Sequence, residues 1–580
     1  MTSRPAGAAV DGGELLARAL AAAGVTDVFA LHGGHLDAFW TACRANGLRL
    51  VDTRHEAAAG HAADGYARTT GGLGVAVVTS GPGFANGFAA LPNAMSDAVP
   101  MLMVASSPPL RELQTNEMQG GFDQVAAAAP VTKWAHRIVT TERIPDLVAL
   151  AVRTALSGRP GPVFLEIPID VLVTAVDEAG LPPAGPALIA DRPAPSPAAV
   201  RAAADLLLHA ERPAIVVGGG ALWSSCGAEL AAFADRAGIP VFANNRALGL
   251  LPAAHRCNGW AVDSLSLMAM TGQPLPDVVL LLGARLGLLT GGRAHSLIPP
   301  EAAVIQVDLE AAEMGRLRPV QVPVVADCRE ALQALCAVEV SWPDRADWLA
   351  SATGAHALVE QLFGAAPPAV DGRLHPYHAG REALLGAGAD AVLVLDGGEA
   401  PLWAAMSVAA AAPHRVLNLG YMGFLGIGQG FAIGAQIAEP ARRVLQVTGD
   451  GAYGFHLAEL DTMVRHGLPV VTVVLNNACW GMSIHGQEAV YGAGSDVIVR
   501  LADTDYHEVA RALGGYGERV TEIGEVRAAV QRAFDSGLPA CVNVAVAASV
   551  VHPMTTAMLG DLEADNEIVV PYYENIPGRG

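Results

Sequence analysis

Short apolar runs alternate with helix-length segments along almost the whole of this chain. In the first third, Val28–Leu31, Leu48–Asp52, Gly74–Thr79, Met101–Ala105 and Val163–Glu166 read as strands. Ala214–Val217, Val278–Leu282 and Val304–Val307 follow in the middle, and Val392–Leu395, Val444–Thr448, Val470–Asn476 and Ala540–Val546 in the last third. Strands separated by helical segments form βαβ units, and a strand that is apolar along its whole length is buried on both faces. The fold class this predicts is α/β with parallel sheets. A chain of 580 residues is too long for one core and suggests about three domains. The Pro- and Ala-rich stretch Leu181–Ser196 reads as a linker, so the expected blocks are residues 1–182, 195–345 and 370–552, with a polar tail at 553–580.

Charge and cysteine usage narrow the function classes. A net charge of −21 opposes a polyanionic nucleic-acid partner and favours a self-repelling, soluble protein. The seven cysteines are scattered without a CxxC pair or a metal-ligand spacing, as in a reduced intracellular protein. No apolar run reaches the length of a membrane span, and Met1–Gly12 lacks a basic segment followed by an apolar core, so a cytoplasmic location is expected.

The segment with the most chemistry follows the run Val444–Thr448: Gly449-Asp450-Gly451, then, past a helix-like stretch, a second run ending in Asn476-Asn477. A carboxylate and an amide oxygen at the ends of two neighbouring strands, with glycines admitting a ligand to the backbone, suit Mg²⁺ and a diphosphate. This segment resembles the diphosphate-binding signature of thiamine diphosphate (ThDP) enzymes. The three-block layout resembles the acetolactate synthase and benzaldehyde lyase group of that family over nearly the whole chain. The resemblance implies three Rossmann-like domains: pyrimidine-binding (1–182), central (195–345) and diphosphate-binding (370–552), with 553–580 as a tail or lid. It implies ThDP and Mg²⁺ as cofactors, with Asp450, Asn477 and the carbonyl of Cys479 on the metal. Gly398, Glu399, Gly449, Gly451, Ala452 and Tyr453 would line the diphosphate. Because the family builds its site from two subunits, a homodimer is the implied minimum and a homotetramer the expected assembly.

ThDP enzymes need a carboxyl group on the aminopyrimidine ring. Glu56 follows the run Leu48–Asp52 and begins an Ala-rich segment, where the family places that glutamate; an acid in a first helical turn also suits the helix dipole. Thr79-Ser80-Gly81-Pro82-Gly83-Phe84-Ala85-Asn86 resembles the family's loop lining the cofactor, which brings in Gly81 and Asn86. Leu425, in Gly420-Tyr421-Met422-Gly423-Phe424-Leu425-Gly426, stands where the family has the apolar prop that bends the cofactor, although a core leucine would look the same.

Within the family, Leu31-His32-Gly33-Gly34-His35, Gln119-Gly120-Gly121-Phe122-Asp123-Gln124-Val125 and Thr132-Lys133-Trp134-Ala135-His136-Arg137 are similar to benzaldehyde lyase. By position, His32 would take the substrate's hydroxyl proton and Gln119 would orient that oxygen. Trp480-Gly481-Met482 departs from that enzyme, and Glu488 with the tail Val569-Val570-Pro571-Tyr572-Tyr573 is similar to actinobacterial 2-hydroxyacyl-CoA lyases. Glu488 could then shuttle a proton; a solvated helix acid is the plainer alternative. The expected activity is cleavage of a 2-hydroxyacyl-CoA to formyl-CoA and an aldehyde or ketone, reversible as a carboligation. Acyloin cleavage, acetolactate synthesis and a silent cofactor-binding regulator stand as alternatives. Val217-Gly218-Gly219-Gly220 and Leu282-Gly283-Ala284-Arg285 follow strands in the central block without a complete GxGxxG; they leave room for ADP or the CoA nucleotide there.

Overall fold

The computed structural model describes residues 9–292, 297–408, 412–559, 566–568 and 576–577. The tail residues Val569-Val570-Pro571-Tyr572-Tyr573 lie outside the described residues. The chain packs as two compact units: Met1–Ala190 with Leu419–Arg442 and His456–Val470, and Asp191–Asn418 with Arg443–Phe455 and Val471–Gly580.

The first unit holds a parallel sheet of six strands: β1 (Asp27–Ala30), β2 (Arg49–Asp52), β3 (Gly74–Val78), β4 (Met101–Ser107), β5 (Trp134–Arg137) and β6 (Pro162–Pro168), in the order β2-β1-β3-β4-β6-β5. Strands β3, β4 and β6 are buried at every position; β3 is apolar throughout, while β4 ends in Ser106-Ser107 and β6 carries the single carboxylate Glu166. The edge strand β5 reads Trp-Ala-His-Arg and is half-buried throughout, so no apolar run marks it in the sequence.

The helix Glu56–Thr70 starts where His55 caps it, its Nδ1 accepting from the Ala57 N–H at 3.1 Å, and stops at Gly71 in the left-handed conformation. Nearly every residue of it is buried, because the helix Gly428–Ala438 packs directly on it. A Cβ at Gly434 would lie 2.1 Å from the Ala62 carbonyl oxygen, and one at Gly65 would lie 2.5 Å from the Phe431 Cα. The small residues thus let two backbones meet, which explains the richness in Ala and Gly. Into this interface Arg68 is sunk with its charges satisfied: its Nε meets Asp64 at 2.5 Å and its Nη1 meets Asp97 at 2.9 Å. Asn93 donates to the same Asp64 at 2.8 Å.

The second unit holds two parallel sheets. One has β7 (Pro213–Val217), β8 (Val241–Ala243), β9 (Asn258–Ala261), β10 (Val278–Leu282), β11 (Ala303–Asp308) and β12 (Val322–Val325), ordered β9-β8-β7-β10-β11-β12. Ile215, Leu280 and Ile305 feed a core on one face, and Val216, Val279 and Val304 a core on the other. The other sheet has β13 (Val392–Asp396), β14 (Val416–Asn418), β15 (Val444–Gly449), β16 (Val471–Asn476), β17 (Tyr516–Val520) and β18 (Ala540–Ala545), ordered β14-β13-β15-β16-β18-β17. Taken strand by strand, this is the order of the sheet in the first unit. Residues 181–196 form neither helix nor strand. No helix among the described residues is long and apolar enough to cross a membrane.

The buried triad gives a stability prediction. Arg68→Met leaves Asp64 and Asp97 buried without their cation, and a broken buried pair costs about 3–5 kcal/mol. Urea unfolding followed by circular dichroism should show that loss, and a variant within 1 kcal/mol of wild type would contradict it.

Candidate functional site

In a doubly wound parallel sheet, ligands bind beyond the carboxyl ends of the strands, where neighbouring strands continue in opposite directions across the sheet. In the first unit that point lies between β1 and β3. The turns leaving them, His32-Gly33-Gly34 and Thr79-Ser80-Gly81, are so close that a Cβ at Gly33 would lie 2.3 Å from the Thr79 Cβ. His32 itself points outward: its side chain is 70% exposed and its Nε2 lies 3.1 Å from Asp37. Gly81 requires glycine twice over, by a φ of 61° and by the Gln119 carbonyl, 2.5 Å from where its Cβ would be. Gln119 is held there in a left-handed conformation (φ 59°), and its Oε1 accepts from Ser80 Oγ at 2.9 Å.

A buried chain of polar groups fixes this turn. The Gly81 N–H donates to Gln124 Oε1 at 3.0 Å, and Gln124 Nε2 donates to the Ser106 carbonyl and to Glu166 Oε2, each at 3.0 Å. Arg137 pairs with the other Glu166 oxygen. Sequence reasoning assigned no role to Gln124 or Glu166; an amide and a carboxylate within otherwise apolar stretches were the available signal.

Glu56 leaves the end of β2 as the first residue of its helix and is 8% exposed. Its Oε2 accepts from Asn86 Nδ2 at 3.0 Å, and a Cβ at Gly83 would lie 3.6 Å from its Oε1. One carboxyl oxygen is thus anchored while the other faces a residue without a side chain. In the same unit Leu425 is half-buried in an irregular segment. That segment is pinned by His456, whose Nδ1–H donates to the Gly426 carbonyl at 2.7 Å, and by the Phe424 ring, 6.2 Å from the ring of His61. Burial pushes His61 down to about 3, so it is neutral.

In the second unit, β15 pairs with β13 and β16, with Asp396 opposite Thr448 and Gly449 opposite Leu475. That register sets three turns side by side: Gly397-Gly398-Glu399, Gly449-Asp450-Gly451 and Asn477-Ala478-Cys479. A Cβ at Gly397 would lie 3.2 Å from the Gly449 nitrogen, and one at Gly451 would lie 2.5 Å from the Trp480 ring. Asp450 is 2% exposed and its Oδ2 is buried without a hydrogen-bond partner. Burial pushes its carboxyl up to about 6, against the pull of backbone N–H groups including those of Gly451, Ala478 and Asn477. Asn477 Oδ1 accepts from the Cys479 N–H at 3.1 Å, an amide oxygen with one lone pair left. Cys479 is buried and its thiol is pushed up to about 11 by burial, so it is not a thiolate ligand. Ala452 and Tyr453 are buried behind the turn, and Tyr506, edge-on to Tyr453 at 5.4 Å, donates to the Asp450 carbonyl at 3.3 Å. Glu488 is half-buried on the helix Gly481–Tyr491.

Comparison with known proteins gives the family. The thiamine pyrophosphate enzyme family matches in three parts: the N-terminal TPP binding domain at residues 10–127, the central domain at 200–335 and the C-terminal TPP binding domain at 396–544. The chain is 36% identical over 544 residues to a probable acetolactate synthase of Mycobacterium bovis, covering 93% of this chain and 96% of that one. It is 32% identical over 591 residues to a 2-hydroxyacyl-CoA lyase of Oryza sativa (97% and 99% covered). To 2-hydroxyacyl-CoA lyase 2 of Homo sapiens it is 33% identical over 584 residues (92% and 90% covered). The chain belongs to the thiamine pyrophosphate enzymes, and it is a ThDP-dependent enzyme acting on carbon–carbon bonds.

Asp450 yields a prediction for the cofactor-free protein. A carboxyl raised from 3.8 to about 6 on folding binds its proton more tightly in the folded chain, so its contribution to stability falls as pH rises through that window and the penalty is complete above it. Asp450→Asn should therefore stabilise the cofactor-free protein near pH 7.5, by at most about 3 kcal/mol, and make little difference near pH 4. Denaturant melts at the two pH values test this; no gain near pH 7.5 would contradict it.

Proposed function

We propose that this enzyme is a ThDP- and Mg²⁺-dependent lyase that cleaves a 2-hydroxyacyl-CoA to formyl-CoA and an aldehyde or ketone, and runs in reverse as a carboligase. The observation that carries the reading is Glu56, a buried carboxyl with one oxygen anchored on Asn86 and the other facing Gly83. The residues also fit a magnesium diphosphate. Asp450 offers a buried oxygen with no donor, which a cation would satisfy, and Asn477 and the Cys479 carbonyl supply further hard oxygen donors of the kind Mg²⁺ takes. Gly398, Gly449 and Gly451 keep side chains away from the same turns. The 2-hydroxyacyl-CoA lyase relatives support the thioester substrate, as does the carboxylate Glu488.

When bound, ThDP supplies the nucleophilic carbon and takes up the electron pair of the breaking bond. The rest falls to the chain's side chains. Glu56 holds and returns the proton at the pyrimidine nitrogen, in a setting dry enough for a carboxyl to do so. Gln119, fixed by Ser80 and by its close approach to Gly81, orients the substrate oxygen. Glu488 takes the hydroxyl proton and returns it to the carbon that becomes the formyl group of formyl-CoA, and His32 is the base for an acyloin substrate. A nucleotide, ADP or that of CoA, belongs to the crevice between β7 and β10, where the Gly220 N–H meets the Gly283 carbonyl at 2.9 Å. The domain limits 1–182, 195–345 and 370–552, a homodimeric or homotetrameric assembly and a cytoplasmic location are part of the same reading.

Acetolactate synthesis is the second reading, favoured by the 36% identity to the Mycobacterium bovis protein. A benzaldehyde-lyase-like acyloin cleavage rests on the segments around His32 and Gln119.

Glu56→Gln should keep the fold and lose nearly all turnover, since an amide cannot exchange the proton a carboxyl does. Wild-type turnover in that variant, measured by product formation, would overturn the assigned role. With 2-hydroxyisobutyryl-CoA as substrate, Glu488→Ala should slow formyl-CoA release by up to about 10²-fold, the low end of a general acid–base contribution. If His32→Ala costs far more than Glu488→Ala and benzoin is cleaved while no 2-hydroxyacyl-CoA is, the thioester reading falls; acetolactate from pyruvate would favour the second reading.

A further inference from the structure

Glu399 is an odd neighbour for a diphosphate. It begins the helix Glu399–Ala405 at the end of β13, beside the Gly449-Asp450-Gly451 turn, and is 6% exposed. A second carboxylate next to Asp450 would repel a phosphate group unless its charge were met. Three donors converge on one of its oxygens. His485 Nδ1 lies 2.8 Å from Glu399 Oε1, Thr555 Oγ1 donates to it at 2.6 Å and the His552 N–H at 3.4 Å. The other His485 nitrogen, Nε2, lies 2.7 Å from the Ala548 carbonyl oxygen. Both ring nitrogens therefore face acceptors, so both must carry hydrogen, and the ring is an imidazolium buried with its counter-ion at 3% and 5% side-chain exposure. The second oxygen, Oε2, is turned elsewhere: a Cβ at Gly481 would lie 3.4 Å from it and 2.9 Å from Asn477 Nδ2. Glu399 thus presents one saturated oxygen to the helices Gly481–Tyr491 and Pro553–Leu559, and one oxygen to the turn that carries Asn477.

We infer that His485 is the counter-ion that allows Glu399, held also by Thr555, to stand in the diphosphate-binding turn without repelling an anionic ligand. The inference rests on the diphosphate reading above. Both residues are positioning residues: His485 acts only through Glu399. Two other charged groups lie near: Glu488, one turn further along the helix of His485 and acidic like Asp450, and Arg500, which is ion-paired with Asp496 at 3.0 Å, so His485 is the cation in contact with Glu399 itself.

The test is calorimetric binding of Mg²⁺ with inorganic pyrophosphate, and of Mg²⁺ with ThDP, to the full chain and three variants. Wild type should bind both probes. His485→Gln, which leaves Glu399 unneutralised, should weaken both at least tenfold. The double variant Glu399→Gln/His485→Gln, with both charges gone, should return to within threefold of wild type, a rescue that a merely structural role would not give. Glu399→Gln alone, which removes the carboxylate that keeps the buried His485 protonated, should bind within threefold of wild type; it decides the matter if His485→Gln does not fold, because weaker binding there would mean that the carboxylate itself, and not its neutralisation, serves the ligand. Unchanged binding in His485→Gln, a double variant no better than the single one, or weaker binding in Glu399→Gln overturns the inference while leaving the cofactor reading intact. Absence of binding by wild type overturns both.

Discussion

The parallel pairing of β15 with β13 and β16 is the constraint on which the second unit's part of the candidate site depends. Register alone brings the Glu399, Asp450 and Asn477 turns to one edge, from stretches of sequence far apart. Nothing in the local chemistry of any one turn makes a cation site. Their sum offers what the proposed cation site requires: a buried carboxyl oxygen without a donor, an amide oxygen and glycines that keep the backbone accessible. The cost is visible in Asp450, whose carboxyl is pushed up to about 6 by burial. A carboxylate held in an unfavourable setting has stability set aside for binding.

The first unit solves the same problem by close packing. Its sheet has the strand order of the third sheet, and its turns again meet beyond the strand ends, with Gly33 against Thr79 and Gly81 against Gln119. The polar chain from Gly81 through Gln124 and Glu166 to Arg137 makes that turn rigid, and Asn86 fixes Glu56 beside it. Rigid placement matters for proton transfer, because a carboxyl displaced by an ångström loses much of its effect.

Much of this was legible in the sequence where strands are buried on both faces. Met101–Ala105 and Val278–Leu282 are continuous apolar runs, Val444–Thr448 is one interrupted by Gln446 and closed by Thr448, and all three fall within strands of these sheets. Of the strands at sheet edges only Arg49–Asp52 was legible, within the run Leu48–Asp52. Trp134–Arg137 and Tyr516–Val520 carry charged residues on solvated faces, Asn258–Ala261 includes a glycine, and Val416–Asn418 spans only three residues. Glu56 and Asp450 stood out because each lies within a few residues of the end of a strand-like run, in a segment that resembles the family's motif. The partners of Glu399 did not, because His485 and Thr555 lie 86 and 156 residues away and only the fold brings them together. The exposure of His32 was equally beyond the sequence, since the motif around it fixes its turn and not the direction of its side chain.

The central claim, that this chain binds ThDP and promotes removal of the proton from its reactive carbon, is tested most directly by following that proton. The wild-type protein, saturated with ThDP and Mg²⁺, is mixed with deuterated buffer, quenched in acid and read by NMR. Exchange of the C2 proton should be far faster than in free ThDP and should return to the free rate when the metal is chelated. Exchange at the free rate with metal and cofactor saturating would contradict the account.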